Sequence, residues 1–183
     1  GAGAYLRGVC VDATGSTPSP VDKTGRPLAL DPGFADHPHA MFYLWKDHTA
    51  GAEADEINRR AEGWKGLDFL HFQGKYSSEW FWAKILKGVR TAPSLREAAW
   101  NWAEACEWLT GELCGAGAEF ARSACAAGHK ALWHSAFRGL PAREFFTGLD
   151  SYLGGIHDRF TAPVAADVRV GTLSPKRRER WGT

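Results

Sequence analysis

The chain of 183 residues has no apolar run of about 18 residues, so no stretch reads as a membrane-spanning helix. It also lacks a charged start followed by an apolar centre, the pattern of a secretory signal. Both absences point to a cytoplasmic chain with no membrane partner. Charge of one sign is missing too: the formal net charge is +1, and no bulk field favours nucleic acid. Cysteine is scarce and never closely paired, so Cys10, Cys106, Cys114 and Cys125 read as reduced thiols rather than a disulfide framework. Cys114, Cys125, His129 and His134 are all possible zinc ligands, but ten residues separate the two cysteines. Structural zinc sites open with cysteines about two to four residues apart, and the spacing decides against a metal.

What the chain does have is core-forming material. It is 44% apolar and 13% aromatic, with nine tryptophans, which suits one domain with a sizeable core. Indoles line binding walls beside polar loops and also fill cores, and position separates the two uses. The basic tail Pro175-Lys176-Arg177-Arg178-Glu179-Arg180 reads as a solvated helix turn rather than a nucleic-acid patch, given the near-neutral total.

The stretch Val9-Cys10-Val11-Asp12-Ala13-Thr14-Gly15-Ser16-Thr17-Pro18 runs from apolar residues into a knot of small polar ones. It predicts a buried strand over 5–12 ending in a turn that exposes backbone groups, although Gly-Ser-Thr is also common in ordinary turns. The Asp22-Lys23-Thr24-Gly25 turn predicts a hairpin of strands 20–23 and 26–30, and the apolar run 40–45 a further strand. Near the end, 165–170 reads as a strand.

Helical patterns fill the rest. Ala50, Ala54, Ile57 and Ala61 recur on one face, with Asp55–Arg59 and Glu56–Arg60 as i,i+4 pairs on a solvated face and Gly63 as the stop. Residues 64–75 have no clear period. The stretch 77–90 is apolar nearly all round, which predicts a central helix. Ser94-Leu95-Arg96-Glu97 has capping-box form and opens a helix burying Leu95, Ala98, Ala99, Trp102, Cys106 and Leu109, closed by Gly111. Pro141, Phe145, Phe146, Leu149 and Leu153 give a third amphipathic helix. Lys130, between apolar neighbours, reads on composition alone as a surface lysine with a buried stem.

Four blocks carry a resemblance: Val11-Asp12-Ala13-Thr14-Gly15-Ser16-Thr17-Pro18, Leu44-Trp45-Lys46-Asp47-His48-Thr49-Ala50, Tyr76-Ser77-Ser78-Glu79-Trp80-Phe81-Trp82-Ala83-Lys84-Ile85-Leu86, and Ala126-Ala127-Gly128-His129-Lys130-Ala131-Leu132-Trp133-His134. In this order they resemble the ribulokinase branch of the FGGY carbohydrate kinases, from about residue 7 to 173. The resemblance implies an α/β fold: part of an actin-like, ribonuclease-H-like domain, a mixed sheet with flanking helices. Residues 1–183 would then be one partial domain on the sugar side of a two-domain cleft. It also implies ATP and Mg as cofactors of the whole kinase, none bound by this stretch. The phosphate-binding hairpin would lie before Tyr5, the catalytic aspartate after Thr183, and the second domain beyond.

Carried over by position, the sugar contacts fall on Thr14, Gly15, Trp45 and Lys130, with Tyr76 as a further candidate; no catalytic residue, cofactor site or metal site falls in the chain. The resemblance implies L-ribulose or a related ketopentose as the sugar. A position without a side chain lets hydroxyls reach backbone, an indole stacks on a sugar's apolar face, and an ammonium donates to hydroxyl oxygens. The wider family often has Trp-x-Asp-x-Arg at the second block, whereas this chain has Thr49 at the arginine position. Two functions therefore stand open: a piece of an ATP-dependent sugar kinase, inactive alone, or a non-catalytic sugar-binding or interaction module.

Overall fold

The computed structural model describes residues 7–64, 71 and 73–182. Strand β1 (Pro18–Val21) leads into the Asp22 turn, where the Asp22 carboxylate accepts from the Thr24 N–H at 2.7 Å and the Asp22 N–H donates to the Arg26 carbonyl at 2.9 Å. The hairpin turn forms as the sequence predicts, but the strand at 26–30 does not. Pro27 makes one bridge to Val21, and Leu28–Leu30 then coil into a 3-10 turn, because proline has no N–H with which to extend a ladder.

Helix α1 (Gly51–Glu62) buries Ala54, Ile57 and Ala61, as its spacing dictates, and ends at Gly63. Its charged face is not simply solvated. Glu56 takes both guanidinium nitrogens of Arg90 at 2.6 and 3.1 Å, and Arg60 donates to the Phe145 and Glu144 carbonyls. Helix α2 (Phe81–Thr91) is the spine: Phe81, Trp82, Ala83, Lys84, Ile85, Leu86, Gly88 and Val89 are all buried. Such all-round burial requires packing on every side, and each large apolar side chain buried contributes about 1.5–3 kcal/mol.

The helix predicted over 94–109 is broken in two. Helix α3 (Pro93–Ala98) stops at Ala99, whose extended backbone leads into strand β2 (Asn101–Glu104), and helix α4 (Ala105–Cys114) follows, running past Gly111 to a left-handed Gly115. Strand β2 pairs antiparallel with β1, Pro18 opposite Glu104 and Val21 opposite Asn101. Pairing overrides the helical period here, since all eight residues of the pair are buried and need ladder partners. Trp102 joins the main core, while Val21, Ala103 and Phe120 form a small second cluster under Trp108. Leu109 is exposed, contrary to its predicted burial.

Helix α5 (Ala124–Lys130) is capped by the Ser123 hydroxyl. The third predicted amphipathic helix is again two, α6 (Arg143–Thr147) and α7 (Ser151–Asp158), because Asp150 accepts from the Tyr152 N–H and starts a new helix. Residues 165–170 form no strand; Val164 makes a single parallel bridge to Ser123, and Val168 and Val170 are exposed. Helix α8 (Pro175–Trp181) is the solvated tail turn.

Among the described residues the sheet has two antiparallel strands, not the mixed sheet the sequence predicts. Of the strand at 5–12, residues 5 and 6 lie outside the described residues, and 7–12 find no ladder partner among them. Residues 40–45 form no strand: Ala40 ends a 3-10 turn (Pro38–Ala40) and the rest are irregular, tied to the sheet by the Tyr43 N–H donating to the Pro18 carbonyl at 3.0 Å and the Ser19 hydroxyl donating to the Ala40 carbonyl at 3.5 Å. Strand β1 carries Pro18 and Pro20, which have no N–H to offer a third strand. Most of 64–75 lies outside the described residues. No helix among the described residues is long and apolar enough to cross a membrane, and all four cysteines are free thiols.

Candidate functional site

The turn before β1 is built from Thr14, Gly15, Ser16 and Thr17. The Thr14 and Thr17 hydroxyls lie 3.0 Å apart, and Gly15 is exposed, with nothing within 4 Å of the place a Cβ would take. Gly15 therefore owes nothing to internal packing, and apart from a long hydrogen bond that its carbonyl accepts from the Thr17 hydroxyl at 3.4 Å its backbone is open. Ser16 has φ 62° and is buried. A left-handed residue bearing a Cβ costs about 1–2 kcal/mol, so something must hold the turn. Two buried polar side chains do so. The Lys84 ammonium donates to the Ser16 carbonyl at 2.6 Å, and a Glu104 carboxylate oxygen accepts from the Thr17 N–H at 2.6 Å.

The same ammonium donates to the Leu44 carbonyl at 2.7 Å. Trp45 follows directly and is 52% exposed, its indole available to a ligand. Beyond it the Asp47 carboxylate accepts from the Thr49 N–H at 2.8 Å and the Thr49 hydroxyl at 2.6 Å, while Lys87 donates to the Thr49 carbonyl. Thr49 thus ties its own loop together. Burial works to raise the Asp47 carboxyl, but the Thr49 hydrogen bonds and the charges of Lys84 and Lys87 bring it below the usual range.

Lys130 and Tyr76 make the second half. Tyr76 is 2% exposed; its hydroxyl donates to the Lys130 carbonyl at 2.5 Å and accepts from the Trp82 N–H at 3.0 Å. Its ring stands edge-on to Trp80, centroids 5.0 Å apart, and the Lys130 ammonium sits 5.3 Å above the Trp80 ring. Lys130 is half-buried with its charge on an aromatic face, not a free surface lysine. Tyr76 is placed to orient Lys130 rather than to meet a solvent-borne ligand.

The two halves meet along α2, which carries Lys84 and follows directly from Trp80. Burial lowers the Lys84 ammonium pKa; Asp47, Glu104 and Glu79 oppose that, and Lys130 adds to it, so these charges share one neighbourhood. His48 Nε2 lies 3.2 Å from Glu79 Oε1, linking the Trp45 loop to the start of the spine. Thr14, Gly15 and Trp45 are thus joined through Lys84, and Tyr76 is joined to Lys130. A cavity of about 650 Å³ lined by Glu56, Arg59, Arg60, Trp64 and Leu149 contains none of them.

Lys84 and Glu104 were not legible as site residues. One sits within an apolar helix and the other within a stretch of helical period. The signal available was a lysine inside Phe81-Trp82-Ala83-Lys84-Ile85-Leu86, where a cation must find partners.

No family model matches the chain. Curated relatives do. A ribulokinase of Vibrio parahaemolyticus is 44% identical over 171 residues, covering 91% of this chain and 30% of that protein. Those of Shouchella clausii, 38% identical over 180 residues, and Geobacillus thermodenitrificans, 40% over 174, cover 96% and 93% of the chain. The chain spans about 30% of the length of these relatives.

Proposed function

The chain is a homologue of the ribulokinases over nearly its whole length, and on that premise we propose that it forms the sugar-side wall of an ATP-dependent carbohydrate kinase. The substrate is L-ribulose, phosphorylated to L-ribulose 5-phosphate in the breakdown of L-arabinose. The observation that supports the reading is the joining of two exposed elements, the Gly15 turn and Trp45, to one buried ammonium.

Each residue has a task. The open backbone at Gly15 and the Thr14 hydroxyl meet sugar hydroxyls, and the Trp45 indole covers an apolar face of the ketose. Lys130, seated over Trp80, donates to sugar oxygens, while Tyr76 holds its backbone in place. In the reaction the primary hydroxyl attacks the γ-phosphate and a carboxylate takes its proton, while the bond from the γ-phosphorus to the β,γ-bridging oxygen breaks and ADP leaves. The family resemblance puts that aspartate and the phosphate hairpin outside residues 1–183. The described residues gather no three His, Cys, Asp or Glu side chains fit to hold an ion.

An ADP-release assay on the full-length kinase carrying this stretch, run with L-ribulose and its ketopentose isomers, tests the proposal. Turnover with L-ribulose supports it. No turnover with any ketopentose, together with sugar binding by the chain, favours the non-catalytic sugar-binding module instead.

A further inference from the structure

We propose that Lys84 and Glu104 are positioning residues that hold the strained Ser16 turn and the Trp45 loop in one fixed relation, and so set affinity for the sugar without touching it. The inference rests on the sugar-wall reading above and goes beyond it, because neither residue faces the exposed side of the wall: Lys84 is 1% and Glu104 2% exposed.

The turn is held in a conformation that it would not adopt unaided. Ser16 has a left-handed backbone, its hydroxyl is buried with no partner among the described residues, and so is the second Glu104 carboxylate oxygen. Internal stability accounts for none of these. Against them stand short hydrogen bonds on either side of the same peptide: Lys84 to the Ser16 carbonyl, and the Thr17 N–H to Glu104. This peptide unit is fixed at both its C=O and its N–H, leaving no freedom to rotate. The strain is thus confined to the residue next to Gly15, where the backbone is open.

Lys84 then reaches the Leu44 carbonyl, which also accepts from the Asp47 N–H at 3.0 Å. Removing the ammonium releases both elements at once. Glu104 is itself fixed by its place at the end of β2 opposite Pro18, and its N–H donates to Glu107, which is paired with buried Arg122. The staple therefore has a rigid base in the sheet and in α2.

The test uses the full-length kinase that carries this stretch, with Lys84→Met, Glu104→Leu and the conservative Glu104→Gln. Misplacing a binding group by about 1 Å costs up to about 10²-fold, so Lys84→Met and Glu104→Leu are expected to raise the ketose KM about tenfold or more. The ATP KM should stay within about twofold. Glu104→Gln keeps an acceptor for the Thr17 N–H and should restore the ketose KM to within about threefold of the parent. Amide hydrogen exchange at residues 15–17 and 44–47 should quicken in the first two variants and not in the third. Exchange unchanged in both disrupting variants overturns the staple. Faster exchange with an unchanged ketose KM overturns the sugar-wall reading while leaving the staple standing. Equal loss of ketose and ATP affinity, not rescued by glutamine, assigns the pair to general stability and overturns the proposal. If Lys84→Met does not fold by circular dichroism, the Glu104 pair decides alone.

Discussion

Glu104 stores a pH dependence that follows from where it lies. Burial first, then the neighbouring charge of Glu107, pushes its carboxyl up to about 8, against the pull of the Thr17 N–H, Lys84 and Arg122. An unfolded glutamate titrates near about 4.3, so between that pH and about 8 the folded chain holds the proton more tightly. The stabilisation is complete below the lower value and is lost as pH rises through the upper one. Thermal melts of parent and Glu104→Gln from pH 5 to pH 8.5 should diverge, the parent losing melting temperature relative to the variant as pH rises. Parallel curves would contradict the assignment. Lys130→Met tests the residue that the family resemblance nominates: it keeps the apolar stem over Trp80 and removes the donors. The ketose KM of the full-length kinase should rise while the ATP KM holds; equal KM values for the parent and the variant would return Lys130 to a structural role. Sequence nominated Gly15, Trp45 and Lys130 because they belong to the blocks that carry the resemblance. It concealed Lys84, because a cation amid tryptophan and leucine looks like a helix-face exception until its two carbonyl partners, 68 and 40 residues away, are seen.

Elements were legible where the forces that make them are local. Helices α1 and α2 follow from spacing and composition, since each buries its own pattern. The strands fail for the opposite reason: 7–12 and 40–45 have apolar sequence but no ladder partner among the described residues, while β2 appears inside a helical period because β1 needs it. The turn after β1 was legible through Asp22 and Gly25, and it gives a sharp test. Gly25 has φ 82°, and a Cβ there would lie 2.2 Å from the Gly117 backbone. Gly25→Ala combines left-handed strain with overpacking and should cost about 2–4 kcal/mol in a urea melt. A cost below about 0.5 kcal/mol would mean that the turn yields freely. Arg122 ties β2 to α4 in the same way: it donates to Trp102, Glu107 and Asn101 and lies against Phe120 and Phe160. Removing one partner of a buried pair leaves the other uncompensated, so Arg122→Met should destabilise by about 3–5 kcal/mol, read from the same melts.

At the scale of the whole molecule, the chain spans about 30% of the length of the Vibrio ribulokinase it matches, and on the proposed reading it supplies one wall of a cleft, which alone binds weakly. The isolated chain should hold L-ribulose at millimolar Kd or poorer, about −4 kcal/mol or less favourable, by calorimetry or ligand-detected NMR. It should release no ADP in a coupled assay; activity that survives repurification and scales with chain concentration would refute the reading. A two-domain cleft is implied only by the resemblance, since no pattern inside 183 residues can report a partner domain. The shared ammonium has one more consequence, for the history and the engineering of this wall. Because the Gly15 turn and the Trp45 loop hang from the same nitrogen, a substitution in one shifts the platform on which the other acts. Their effects on sugar preference will be epistatic, departing from additivity by about 0.5–3 kcal/mol. A search that varies both loops together will reach sugar preferences closed to one that fixes the best single change first.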